Sequence, residues 1–134
     1  MRNLGAIAAG LLCAGLLSTD AQAQRGGNWV DLGCKEVSFL MTDHDTIKVG
    51  RREGRFKAIR LQARGNDVEM LDLKVIYANG APDDIPVRSL IRQGTRTRPL
   101  DLKGYERAIH QIDMVYRRPL NLRGKATVCV EGLE

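Results

Sequence analysis

Apolar and polar side chains alternate strictly along the segment from Phe56 to Arg64. The apolar phase holds Ile59, Leu61 and Ala63, and the polar phase holds Arg60, Gln62 and Arg64. Successive side chains of a β-strand point to opposite faces of its sheet. The segment therefore predicts a strand with one buried face and one face that carries arginines.

Similar short segments recur along the chain and are separated by glycine-containing or polar turns. They span residues 29–32, 37–41, 46–49, 68–78, 95–102, 108–116 and 126–130. Asn79-Gly80 follows the longest of the early segments and is a strong hairpin signal. Within that segment Val68 and Met70 have the opposite phase to Leu73 and Val75, which predicts a β-bulge near Met70.

Two further segments have features that affect their assignment. Ile85–Arg88 contains a proline, which predicts a strand at a sheet edge. Residues 103–113 are compatible with a helical stripe, but a strand is favoured because Ile112 and Tyr116 continue the period of two. His110 shares that apolar phase and is expected in the core.

These segments predict seven to nine short strands, with turn signals about every 8–12 residues. This spacing favours an all-β fold, an antiparallel β-sandwich, with the jelly roll as one arrangement of such strands. No repeat, low-complexity stretch or internal linker interrupts the segments. The strand region is therefore predicted to be a single domain.

The first residues have the pattern of a secretory signal peptide. Arg2 precedes an apolar run from Leu4 to Leu17, which is shorter than the about 20 residues of a membrane-spanning helix. Ala21 and Ala23 are the small residues expected before a cleavage site. A lipid anchor at Cys13 is rejected because a bulky Leu12 precedes it.

We therefore assign residues 1–23 to a signal peptide and residues 24–134 to the β-sandwich domain. The alternative, an N-terminal membrane anchor, is disfavoured by the short apolar run. No second such run follows, so no transmembrane segment is expected after cleavage. The predicted location is periplasmic or secreted.

Two cysteines remain after cleavage, Cys34 and Cys129. An even number of cysteines in an exported protein favours a disulfide. Two inert thiols or a metal site are the alternatives, although two cysteines without a nearby histidine pair suit zinc poorly. Cys129 lies on the phase opposite Val128 and Val130, so a bridge is expected on the outer surface or along a sheet edge.

Asp43-His44-Asp45 is the triplet in the sequence whose side chains are the strongest candidates for metal binding or other chemistry. On a strand the two carboxylates would share one face, where they could contribute to a Ca²⁺ site. The favoured interpretation is that Asp43 and Asp45 pair with arginines or bind turn amides. No cofactor is expected on that interpretation, and Ca²⁺ is the alternative.

Arginines are the most distinctive surface feature of a chain with a formal net charge of +5. The residues predicted to form one anion-binding face are Arg60, Arg64, Arg96 and Arg98. Guanidinium groups recognise phosphates and carboxylates by paired hydrogen bonds. The alternative is an ordinary solvated sheet face, which an antiparallel sheet commonly presents to water.

The sequence gives little support for catalysis. It lacks a nucleophile elbow, a His-Glu-x-x-His motif and a local Cys-His pair. Aromatic residues are few, which leaves few stacking platforms for bases, so nucleic acid is not an expected partner. We therefore expect a protein that is not an enzyme.

A series of weak motifs, in order, resembles a family of small exported bacterial proteins of unknown function. The motifs are Trp29-Val30-x-Leu32-Gly33, Asp43-x-Asp45-x-Ile47-x-Val49, Gly54-x-Phe56, Asn79-Gly80, Leu100-Asp101-Leu102-x-Gly104, Glu106-Arg107-x-Ile109 and Tyr116. The resemblance implies an exported β-rich domain. It implies no reaction and no catalytic residue.

The leading hypothesis is a non-catalytic binding or structural module of the bacterial cell envelope that recognises an anionic group through arginines. Its partner would be an anionic envelope component, such as a lipid headgroup or lipopolysaccharide phosphate, or another exported protein. The alternative is a calcium-supported carbohydrate-binding module, and a hydrolase is the third hypothesis.

The cleavage assignment predicts that the exported protein begins at Gln24. The intact mass of protein recovered from the exporting cell should lack the first 23 residues. A retained N-terminus, or a mass increment from a lipid on Cys13, would contradict the assignment.

Overall fold

The strand from Ala58 to Arg64 lies at the centre of one of two facing sheets. Its apolar phase, Ile59, Leu61 and Ala63, has no exposed surface, whereas Arg60, Gln62 and Arg64 face outward. The predicted alternation is confirmed for Ile59–Arg64, whereas Phe56 belongs to a separate two-residue strand. The computed structural model describes residues 27–37, 42–119 and 124–134. The predicted signal peptide and most of the 37–41 segment lie outside these ranges.

The described residues form ten strands. They are β1 (Trp29–Val37), β2 (Asp43–Lys48), β3 (Arg55–Phe56), β4 (Ala58–Arg64), β5 (Val68–Tyr77), β6 (Pro82–Asp84), β7 (Ser89–Ile91), β8 (Leu100–Asp101), β9 (Arg107–Arg117) and β10 (Ala126–Leu133). Four of them have only two or three residues, which explains why the sequence predicted fewer.

The strands form two antiparallel sheets. One has the order β1-β10-β4-β8, and the other has the order β2-β9-β5-β6, with β3 paired to β9 and β7 paired to β5. Apolar side chains from both sheets form one buried cluster, which includes Leu61, Val128, Leu73 and Ile112. The all-β antiparallel sandwich predicted from the sequence is thus confirmed.

A β-bulge shifts the register of β5 and β9 between Met70 and Asp72. Leu71 is the extra residue, so the buried phase changes from Met70 to Leu73. The bulge predicted near Met70 is therefore confirmed. It keeps both halves of a long strand packed against the core.

A second register shift removes His110 from the core. Ile76 pairs with Gln111 and Tyr77 pairs with Ile109, so His110 has no cross-strand partner in this ladder. Ile109 is buried in its place and His110 is exposed. The expectation of a buried His110 was wrong because the apolar phase ends at this bulge. Residues 107–117 are a strand, as favoured over the helix.

The two proline-containing segments form less strand than the sequence predicted. Ile85–Arg88 is irregular, and the short strands β6 and β7 occupy the edge beside β5 instead. Pro86 has no N–H to donate, which interrupts pairing with β5 between these two strands. In the predicted 95–102 strand only an isolated bridge at Arg96 and the two-residue β8 form, and Pro99 separates them.

The Asn79-Gly80 hairpin is confirmed. It joins β5 to β6, and the Gly80 amide donates a hydrogen bond of 2.8 Å to the Tyr77 carbonyl oxygen. Gly80 has a φ of 89°, a conformation that other residues rarely adopt. The hairpin fixes the position of the end of β5, where one of the clefts described below is found.

Cys34 and Cys129 lie directly opposite each other on β1 and β10, and they form the predicted disulfide. Their Cα atoms are 4.0 Å apart. The neighbouring Val128 and Val130 face the core, so the bridge lies on the outer side of this sheet, as the phase of Cys129 indicated. It fastens the edge strand β1 to the central strand β10.

No helix within residues 27–37, 42–119 and 124–134 is long and apolar enough to cross a membrane.

Removing the disulfide should destabilise the domain. The bonded cysteines are 95 positions apart in the sequence, and closing so long a loop restricts the unfolded chain strongly. We expect the double substitution Cys34→Ala and Cys129→Ala to lower the free energy of unfolding by about 2–5 kcal/mol, measured by urea denaturation of the mature protein. Two titratable thiols in the denatured, unreduced wild-type protein would contradict the bridge.

Candidate functional site

A cleft opens where the edges of the two sheets approach each other, and we call it the edge cleft. It is lined by residues 86–91 and 95–98 together with Leu100, and its volume is about 290 Å³. Strand β7 of one sheet forms one wall. The segment 95–98 runs beside β4 of the other sheet and forms the opposite wall.

Hydrogen bonds between Thr97 and Leu61 hold the second wall against β4. The Thr97 amide donates to the Leu61 carbonyl oxygen at 2.8 Å, and the Leu61 amide donates to Thr97 Oγ1 at 3.1 Å. The hydroxyl group of Thr97 is thereby hydrogen-bonded to β4. Its two neighbours, Arg96 and Arg98, both line the cleft.

The described lining of the edge cleft carries three arginines and no carboxylate. The arginines are Arg88, Arg96 and Arg98, and all three are exposed. Arg88 and Arg98 form no salt bridge with any described residue. Outside this lining, the hydrogen bond from Arg117 and then the charge of Arg88 hold the pKa of Glu69 below its usual value.

Arg96 also belongs to an ion cluster on the outer face of the sheet. Glu131 Oε1 accepts hydrogen bonds from Arg96 Nε at 2.8 Å and from Arg60 Nε at 2.9 Å. Partial burial opposes ionisation of Glu131, but the two guanidinium groups outweigh it and lower its pKa. Arg60 additionally lies 4.0 Å from the centre of the Trp29 ring, so its cation is already engaged.

The four arginines predicted from the sequence therefore lie on two adjoining surfaces. Arg60, Arg64 and Arg96 lie on the outer face around β4, where Arg64 donates to Gln62 Oε1 at 3.0 Å. Arg98 lies in the edge cleft, and Arg96 is common to both places. The sequence did not indicate Arg88, since the signal for its position was a proline-containing segment read as an ordinary edge strand.

The carboxylates proposed for Ca²⁺ lie at one end of β2. Asp45 Oδ2 accepts a hydrogen bond of 2.5 Å from the hydroxyl of the buried Tyr116, and Asp43 lies opposite Tyr116 in the strand register. Burial and then the Asp45 carboxylate raise the pKa of Tyr116 well above its usual value. His44 is exposed. Within the described ranges, no three His, Cys, Asp or Glu side chains are grouped to hold a metal ion.

A solved structure, AlgX of Pseudomonas aeruginosa, resembles the fold distantly. The sequences are 12% identical with a TM-score of 0.46, and the match covers 75% of this chain and 26% of that one. The chain thus spans about a quarter of the length of that protein. No curated protein matches the chain.

A family model described as a domain of unknown function, DUF2541, matches residues 8–132. The match extends over almost the entire chain, and it agrees with the motif resemblance to an uncharacterised family. The chain belongs to the DUF2541 family, whose function is unknown.

Proposed function

We propose that this domain is a non-catalytic binding module of the bacterial cell envelope that recognises an anionic group through the arginines of the edge cleft. The observation that carries the proposal is the lining of that cleft. Arg88, Arg96 and Arg98 converge there without a carboxylate among the described lining residues.

The state of each guanidinium supports anion recognition. Arg88 and Arg98 are exposed and form no salt bridge among the described residues, so their charges are accessible to a ligand. Glu131 binds only Nε of Arg96. The terminal nitrogens of Arg96 have no hydrogen-bond partner in the described part of the chain, which leaves a fixed donor pair of the geometry that phosphates accept.

The cleft also offers an apolar contact beside the cations. Leu90 lines it and is 47% exposed, so an accessible apolar side chain lies beside the arginines. Cations next to an accessible apolar side chain suit an amphiphilic anion. A lipid headgroup phosphate or a lipopolysaccharide phosphate has this chemistry, and the disulfide supports a location in an oxidising, exported compartment.

A non-catalytic role is supported by the same residues. Ser89, Thr95 and Thr97 line the cleft, but no described lining residue is a histidine, cysteine or carboxylate that could activate their hydroxyl groups. The calcium-supported alternative is disfavoured because Asp45 Oδ2 already accepts the Tyr116 hydrogen bond. The edge cleft therefore favours binding over hydrolysis.

We expect the double substitution Arg88→Gln and Arg98→Gln to weaken binding to vesicles that contain phosphatidylglycerol. Each basic residue near an anionic surface contributes about 1 kcal/mol, so the loss should be about 30-fold in the dissociation constant, measured by vesicle sedimentation. Binding by the wild-type protein should also fall at about 1 M salt, where the screening length is about 3 Å.

The matched control is the double substitution Arg52→Gln and Arg64→Gln, which removes the same charge away from the cleft. It should leave the dissociation constant within about threefold of wild type, which is well below the effect of two cleft cations. An equal loss in the control would show that net charge alone drives binding. Loss of binding on addition of a chelator would support the calcium alternative and contradict the proposal.

A further inference from the structure

A second cleft lies at the end of the sandwich where β5 ends and β9 begins, and we call it the end cleft. It is lined by Arg51, Gly54, Arg55 and residues 77–79 and 106–108, and its volume is about 500 Å³. It shares no lining residue with the edge cleft. The edge cleft flanks β7, which pairs with Val68–Met70, whereas the end cleft contains Tyr77 at the opposite end of β5.

Three arginines line the end cleft, and only one described lining residue, Glu106, is acidic. Arg51 and Arg55 are exposed. Their side chains form no hydrogen bond or salt bridge with the described residues. Arg107 is the third arginine. Together, the three arginines and Glu106 give the lining residues a net formal charge of +2.

Arg107 is held in place by the floor of the cleft. Its guanidinium carbon lies 3.8 Å from the centre of the Tyr77 ring, and Nη1 donates a hydrogen bond of 3.2 Å to the Lys103 carbonyl oxygen. A guanidinium stacked on an aromatic face keeps its edge available to donate hydrogen bonds. The positions of Arg107 and its remaining donors are therefore set before a ligand arrives.

Tyr77 is itself fixed by a buried hydrogen-bond network. Its hydroxyl donates to Asp83 Oδ2 at 2.5 Å, and the Lys103 amide donates to the Tyr77 hydroxyl oxygen at 3.0 Å. Asp83 is only 4% exposed. Burial, followed by the hydrogen bond to Asp83, raises the pKa of Tyr77 to about 12, so the phenol stays neutral and the ring remains a stable platform for Arg107.

The backbone brings Arg51 and Arg55 to the same place. Arg51–Glu53 form a single 3-10 turn, and Arg55 pairs with Ala108 at the beginning of β9. Gly54, with a φ of 107°, allows the chain to reverse between the turn and β3. Asn79, in the hairpin on the opposite side, uses Oδ1 to accept the Ala81 amide and keeps its amide nitrogen as a donor.

We propose that the end cleft is a binding site for a small soluble molecule that carries a phosphate monoester. A phosphate monoester has three acceptor oxygens and a charge between about −1.5 and −2, which matches three guanidinium groups and a net lining charge of +2. A carboxylate has two oxygens and a single charge. The volume is within the about 300–1,000 Å³ of small-molecule sites and exceeds what a bare phosphate fills.

The two clefts can be occupied at the same time. β5 has ten residues and separates them, and a strand of this length spans about 30 Å. The end cleft would thus bind a soluble phosphorylated molecule while the edge cleft engages an envelope anion. This inference does not depend on the function proposed for the edge cleft.

A ¹H–¹⁵N NMR titration of the mature protein with glucose 6-phosphate tests the inference, with glucuronate as the carboxylate counterpart. Saturable shifts are expected at the amides of Gly54, Ala78 and Asn79. The dissociation constant for glucose 6-phosphate should be at least about tenfold lower than that for glucuronate. Inorganic phosphate as a further probe should shift the same amides at higher concentration.

The double substitution Arg51→Gln and Arg55→Gln should weaken glucose 6-phosphate binding at least about tenfold. Arg52→Gln is the control, because Arg52 is in the same turn but does not line the cleft. Arg88→Gln with Arg98→Gln should leave this binding unchanged even if the edge cleft has no ligand.

Three results would overturn the inference. They are no saturable shift with either glucose 6-phosphate or glucuronate, glucuronate binding as tightly as glucose 6-phosphate, or an equal loss of glucose 6-phosphate binding in Arg52→Gln. Arg51, Arg52 and Arg55 are all exposed, so the substitutions at and beside the end cleft remove no buried contact. An unchanged NMR spectrum outside residues 50–56, 77–81 and 105–109 verifies that the variants at Arg51, Arg52 and Arg55 keep their fold.

Discussion

The apolar layer between the two sheets determines which face of its sheet the arginines of β4 occupy. Side chains such as Leu61 of β4 and Leu73 of β5 meet in that layer without exposed surface. Because strand side chains alternate, burying one phase of β4 forces Arg60 and Arg64 to the outer face. A slip of one residue would bury guanidinium groups, so the hydrophobic layer and the arginine surface depend on the same register.

The bulges show how the domain keeps that register over long strands. At Met70 the change of phase is visible in the sequence, because apolar residues occur on both sides of it. At His110 it is invisible, because the imidazole continues the alternation of Ile112 and Tyr116. Which residue of a long strand is left unpaired depends on its partner strand, and a single segment carries no information about that partner.

The candidate sites likewise combine features that the sequence shows with features that only the folded chain determines. The alternation at Arg96 and Arg98 was readable from the sequence, and it places both at the edge cleft. The pairing of Arg60 and Arg96 with Glu131 could not be read from the sequence. It depends on the register between β4 and β10, which are distant in the sequence. Arg88 and the end cleft likewise arise from segments that meet only in the folded chain.

We propose that the edge cleft binds an anionic group of the envelope. Its most direct test is an NMR titration of the mature protein with a short-chain phosphatidylglycerol below its micelle concentration. Saturable shifts of amides and arginine side chains should be confined to residues 86–91 and 95–98, which line the cleft. Shifts spread evenly over the basic surface, or centred on Asp43 and Asp45, would contradict it.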